Sequence, residues 1–248
     1  MKYISLILSL LLFMSSVGSH SLKESIESDT RDLENKKRDI YRHPYETLNF
    51  FGIKSDMIIV ELNPGGGWYT EILANFIHEP GTLITAQGDY YMDRFKKKIE
   101  SSSIYEKVKI VPLNSNLAEE NTVDAVLTFR NLHNWLGPQM DLIFSNTYKA
   151  LKPGGKFGVV EHRAKPGTDL EMMKKSGYVT EDHAIETAIK HGFKLVDKSE
   201  INSNQKDTKD YSKGVWTLPP RLRLETVDRD KYISIGESDR MTLLFVKP

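Results

Sequence analysis

Cysteine does not occur in the 248 residues, and its absence removes disulfides, thiolate metal sites, thiol nucleophiles and cysteine-linked lipids together. Net charge is missing as well. The 34 basic and 34 acidic residues cancel, so no global field draws the chain to nucleic acid or to an anionic membrane. The run Lys96-Lys97-Lys98 reads as a solvated helix face. No histidine pair stands at the spacing of a zinc helix, and neither a Gly-x-Ser-x-Gly elbow nor a Gly-Lys-Ser phosphate loop occurs. Hydrolase and nucleotide triphosphatase readings lose their usual support, and no metal site is expected. The apolar run from Ile4 to Met14 is too short to span a bilayer comfortably.

That run has another reading. Lys2 precedes it and the small residues Ser15-Ser16-Val17-Gly18-Ser19 follow, the pattern of a secretory signal cut near Ser19-His20. A periplasmic or secreted protein without a stable membrane anchor after cleavage is the expectation. The apolar content of 39% is enough for a real core. Residues 20–50 form an expected helical extension: a sparse amphipathic helix over Leu22 to Lys37, a break at Arg42-His43-Pro44, and a short helix from Tyr45 to Phe51 ended by Gly52. The main domain is placed at 51–248.

Within it, short apolar strands alternate with amphipathic helices. Strands are expected at Met57 to Leu62, Leu83 to Ala86, Val108 to Leu113, Val123 to Phe129, Phe157 to Val160, Phe193 to Val196 and Met241 to Val246. Helices are marked by Trp68, Ile72, Leu73 and Phe76, by Met92, Phe95 and Ile99, by Met140 to Leu151 before Pro153-Gly154-Gly155, and by Ala184 to Ile189. The fold class is α/β, a mostly parallel seven-stranded sheet with helices on both faces and ligands at the carboxyl ends of its strands. The last two strands show no obvious helix between them and are expected to pair antiparallel. The long loop near 203–239 reads as a lid from its aromatics, Tyr211 and Trp216, or as a mobile segment from its charges near Gln205 to Asp210.

Chemistry concentrates in Val60-Glu61-Leu62-Asn63-Pro64-Gly65-Gly66-Gly67-Trp68-Tyr69-Thr70. An apolar strand ending in an acid, a glycine turn and a helix start together describe a cofactor cradle, because glycine allows positive φ and close backbone approach while the helix start offers free amides. Packing of helix on strand is the plainer reading of the same turn. A dinucleotide loop would place Gly or Ala where Thr70 stands, which weakens a nicotinamide oxidoreductase.

The loop, Val123 to Phe129, Leu151-Lys152-Pro153-Gly154-Gly155-Lys156-Phe157 and the final hairpin resemble class I S-adenosylmethionine-dependent methyltransferases. Arg42-His43-Pro44, Arg130-Asn131-Leu132-His133-Asn134-Trp135, Glu161-His162-Arg163 and Gly236-Glu237-Ser238-Asp239-Arg240-Met241-Thr242 also resemble segments of a bacterial family of exported predicted methyltransferases. The resemblance implies S-adenosyl-L-methionine as cofactor, with Glu61, Asn63, Pro64, Gly65 and Gly67 around its amino acid and sulfonium end and Arg130 in the same binding group. An acid ordinarily accepts the ribose hydroxyls after the second strand. Gln87 stands there and can accept one, or Asp89 takes over if the loop bends inward.

The segment after the fourth strand is where donor and acceptor would meet. Asn131 would fix a small-molecule acceptor, His133 would take its proton and Trp135 would cover the pocket, or His133 and Trp135 merely cap the next helix. His162 and Arg163 would reach the same cleft, or form a structural salt bridge. A binding protein that keeps the fold without catalysis is the alternative. Acceptor identity and oligomeric state are not legible.

Overall fold

The computed structural model describes residues 20–248. The expected secretory signal, residues 1–19, lies outside the described residues. Runs such as Ile58-Ile59-Val60 and Val126-Leu127 send successive side chains to opposite faces, and each face meets its own layer of helices. Strands β1 (Ile58–Leu62), β2 (Thr82–Gln87), β3 (Lys109–Pro112), β4 (Val123–Phe129), β5 (Leu151–His162), β6 (Lys194–Ser199) and β7 (Arg240–Val246) form one sheet in the order β3-β2-β1-β4-β5-β7-β6. The pairs β1–β2, β1–β4, β2–β3 and β4–β5 are parallel. β7 runs antiparallel to both β5 and β6. The expected fold class and terminal hairpin are both present.

Helices α1 (Leu22–Glu27), α2 (Leu33–Lys36), α3 (Asp39–Arg42) and α4 (Pro44–Phe50) precede the sheet. The single helix expected over Leu22 to Lys37 is therefore two. Ser21 caps α1 in a reciprocal box with Glu24, while Asp32 accepts from the amides of Glu34 and Asn35 and so starts a second helix. Buried Arg31 fills the break, bonding Ile26 O at 2.6 Å and Asp39 at 2.8 Å. Leu22 and Leu48 join Ile59, Leu127 and α5 (Trp68–Phe76) in the core on one face.

On the other face Val60, Val126 and Phe157 pack against Phe144 and Ala188. These residues extend from α8 (Pro138–Ala150) and α10 (Glu181–Lys190), while α6 (Asp89–Glu100), α7 (Leu132–Trp135) and α9 (Leu170–Ser176) complete the set before the last loop. That loop holds a 3-10 turn at Gly214–Thr217 and a further helix, α11 (Arg229–Ile235), so the last strands are not joined by loop alone. Its charged stretch is tied down: buried Asp207 accepts from Tyr178 Oη at 3.0 Å and from the Asp239 amide at 2.8 Å.

The sheet order reverses between β1 and β4. In an open α/β sheet a ligand crevice forms at that place, because the loops leaving the two strands turn apart.

Candidate functional site

Asn63, just past β1, has φ of 48°, a left-handed conformation that asparagine tolerates. Its Nδ2 donates to Asn131 Oδ1 at 3.0 Å and its Oδ1 accepts from the Gly88 amide at 3.3 Å. Asn131 Nδ2 reaches Leu62 O, Asn63 O and Thr128 Oγ1 at 3.1 to 3.2 Å. Two facing amides thus staple the ends of β1, β2 and β4. Asn131 lines the cavity, but its amide is spent on backbone and neighbours, so the expected role of fixing an acceptor is replaced by one of holding the cradle.

Gly65 and Gly67 take φ of 60° and 76°, and a Cβ added at Gly65 or Gly66 would meet nothing within 4 Å. The loop therefore borders open space, and Asn63, Pro64 and Gly65 line it.

The expected acids divide. Glu61 is turned away from the crevice: it is 2% exposed and accepts from Thr70 Oγ1 at 2.6 Å beneath the loop. Burial raises its carboxyl to about 7, against the pull of that bond and of Arg130 and Lys98. Gln87 is also inward, with Oε1 accepting from the Gly65 amide at 3.3 Å and Nε2 buried without a partner. Asp89, at the start of α6, lines the cavity instead. The lysine run is solvated at Lys96 and Lys97, whereas Lys98 turns in to bond Glu71 at 2.6 Å.

At the ends of β4 and β5, His133 Nδ1 pairs with Glu161 Oε1 at 2.9 Å. Glu161 is wholly buried, and its oxygens also accept from the Leu132 and His162 amides. An acceptor-only carboxylate fixed in this way selects the histidine tautomer with hydrogen on Nδ1 and leaves Nε2 as a proton acceptor. Glu161 was not singled out from the sequence, although the segment carrying it was.

His162 lies beside His133, ring centroids 5.3 Å apart, with Nδ1 on Ser238 Oγ. Burial, then His133 and the guanidiniums of Arg240, Arg130 and Arg42, hold His162 well below the usual histidine range, so it stays neutral. Arg163 takes the structural alternative, bonding Asp239, Glu181 and Glu200.

His133, Glu161 and His162 offer ligand atoms all within 4.8 Å of one another. The nearby guanidiniums and the N–H groups already on Glu161 disfavour a cation there and favour a proton relay. Trp135 is 3% exposed and largely core. The cover comes from Trp216 of the late loop, edge-on to His133 with centroids 6.0 Å apart and carrying Arg223 over its ring at 4.6 Å.

One cavity of about 1130 Å³ joins the glycine loop, the histidines and Trp216. That exceeds the roughly 300 to 1000 Å³ of a pocket for one drug-sized ligand, leaving room for two ligands side by side. Its wall is basic, with eight lysine or arginine side chains against Asp32, Asp89 and Glu237. Arg38 and Arg42 donate to Glu237 at 2.6 and 3.2 Å, and Arg240 bonds it too. Burial works to raise the Glu237 carboxyl, but Arg240, Arg42, Arg38 and Arg130 outweigh it and hold it below the carboxylate range. Burial lowers Arg130 to about 10, aided by Arg240. None of these long-range partners was legible as a pair in the sequence.

No family model matches the chain. It is 24% identical over 200 residues to the sterol 24-C-methyltransferase erg-4 of Neurospora crassa, covering 74% of this chain and 51% of that protein. The chain thus spans about half the length of the curated relative it matches. Among solved structures, a SAM dependent methyltransferase from Aquifex aeolicus superposes with a TM-score of 0.60 at 14% identity, over 92% of this chain and 100% of the other. The geranyl diphosphate C-methyltransferase of Streptomyces coelicolor A3(2) gives 0.59 at 12% identity, over 90% and 84%. A 4+2 cyclase, SpnF, gives 0.62 at 15% identity, over 92% of each chain. At these identities the likeness establishes the fold, a Rossmann-like methyltransferase fold.

Proposed function

We propose that this protein transfers a methyl group from S-adenosyl-L-methionine to a small-molecule acceptor, with His133 as general base and Glu161 as its positioning residue. The carrying observation is that an open glycine cradle and a carboxylate-oriented histidine share one cavity large enough for two ligands. The cradle fits the donor. Gly65 and Gly66 leave space a side chain would fill, and Asp89 offers a carboxylate for ribose hydroxyls. When bound, the donor supplies a methyl group on a positive sulfur, ready for in-line displacement. The chain's own work is to orient the acceptor, to exclude water beneath Trp216 and to take the acceptor's proton at His133 Nε2, a contribution of roughly 10² to 10⁴ in rate.

The names of the Neurospora and Aquifex proteins support this reading. It extends to membership of the exported bacterial family whose segments the sequence resembles, with residues 1–19 directing export. A second reading, an adenosyl-compound binder without methyl transfer, is favoured by Gln87 standing where a carboxylate serves in the resembled family, and by a cyclase on the same fold.

Calorimetric titration with S-adenosylmethionine, S-adenosylhomocysteine and NADH tests the cofactor. Both adenosyl compounds should bind and NADH should not. Gly65→Val should abolish binding, its added atoms entering the open space of the cradle, with circular dichroism checking the fold because φ of 60° strains any side chain there. His133→Ala should keep binding and lose turnover. Unchanged binding in Gly65→Val would sink the cradle assignment, and absence of turnover with any acceptor despite binding would select the second reading.

A further inference from the structure

Where the helices before β1 meet the last hairpin, three guanidiniums share one carboxylate and a fourth stands near it. Arg38, Arg42 and Arg240 all bond Glu237. Arg130, at the end of β4, has no ion pair or side-chain hydrogen bond among the described residues. Four positive charges therefore stand against one negative. The excess is not a surface feature: Arg42 and Arg240 are 3% and 2% exposed, and Arg42 Nη1 and Arg240 Nε are buried with no acceptor. A buried donor without a partner and a buried charge without a counter-charge both oppose folding unless something bound in function satisfies them. All five side chains line the cavity that holds His133 and His162.

The methyl donor does not provide the missing charge. It carries one carboxylate against an ammonium and a sulfonium, so it arrives net positive. An acceptor with a single carboxylate would leave most of the excess in place. A phosphate or diphosphate ester brings two or three negative charges, and its oxygens match guanidinium forks. We propose that the acceptor is a phosphorylated small molecule whose phosphate or diphosphate end is held by Arg38, Arg42, Arg130 and Arg240, with its methyl-accepting atom toward His133; Arg130 thereby leaves the donor-binding group that the resemblance implied. The word acceptor rests on the methyl-transfer reading, whereas the anion site does not.

Titration of the purified full chain with inorganic pyrophosphate, inorganic phosphate, acetate and S-adenosylhomocysteine separates the two. Pyrophosphate or phosphate should bind at one site at least roughly tenfold more tightly than acetate, and the tighter of the two identifies the ester class. Arg130→Gln should weaken that binding by roughly tenfold while S-adenosylhomocysteine affinity stays within about twofold. Arg38→Gln, at a side chain 25% exposed, should do the same, and serves if circular dichroism shows Arg130→Gln misfolded. The proposal is overturned if neither phosphate species outcompetes acetate, or if neither variant weakens it. It is equally overturned if the variants lose S-adenosylhomocysteine instead, which would give the arginines to the donor's own carboxylate. Arginine-dependent pyrophosphate binding with no S-adenosylhomocysteine binding would leave the anion site standing and remove the methyl-transfer reading.

Discussion

Glu61 carries the clearest pH signature of any single residue. Its carboxyl is held near 7 in the folded chain against 4.5 as the ordinary value, so between these values the native state binds the extra proton. Stability from this group is fully present below about 4.5 and is lost as pH rises through about 7, an effect of at most about 3 kcal/mol at 1.36 kcal/mol per pKa unit. Glu61→Gln keeps an oxygen for Thr70 and cannot ionise. The stability difference between variant and parent, from denaturant unfolding, should therefore move in the variant's favour by roughly 2 to 3 kcal/mol between pH 5 and pH 8.5. A flat difference would mean that water reaches the carboxylate.

Among the elements, the late loop owes its position to two glycines. Gly214 has φ of 54° and a Cβ there would stand 2.1 Å from Ser176 O, while a Cβ on Gly177 would meet Val215 at 2.8 Å and Trp216 at 3.1 Å. The 3-10 turn and α9 thus lie backbone to backbone. Gly214→Ala should cost about 1 to 3 kcal/mol and lift Trp216 from His133. Limited proteolysis should then cut within 203–239 while the sheet stays protected; an uncut loop would mean that α9 yields instead. The sheet was legible because alternating apolar residues and glycine punctuation are local signals, and β1, β4 and β7 fall where Met57 to Leu62, Val123 to Phe129 and Met241 to Val246 indicated. Gly65, Asp89, His133 and His162, singled out from signals of the same local kind, all line the cavity. Glu161 and the arginines Arg38, Arg42 and Arg240 around Glu237 were not assigned roles, because what each does depends on a partner distant in sequence. Glu237 is 199 residues from Arg38. The inward turns of Glu61 and Gln87 escaped for another reason: residue type does not reveal which face of a strand end carries water.

At the scale of the molecule, neutrality conceals sorting. Equal numbers of acids and bases overall coexist with a strongly basic cavity wall, so any attraction for anions is confined to one crevice and weakened little by salt beyond its mouth. Compartment is a separate question. An alkaline phosphatase fusion after residue 25 should be active in the bacterial periplasm if residues 1–19 direct export; an inactive fusion would overturn export.

Glu237 joins Arg38 and Arg42, made early, to Arg240 in the last strand of the sheet. During synthesis, the glycine loop and the first four strands emerge long before that carboxylate exists. A chain stalled or clipped after β5 would hold the glycine loop beside guanidiniums that no carboxylate has yet neutralised, so the cavity wall takes its final charge only once the terminal hairpin has paired.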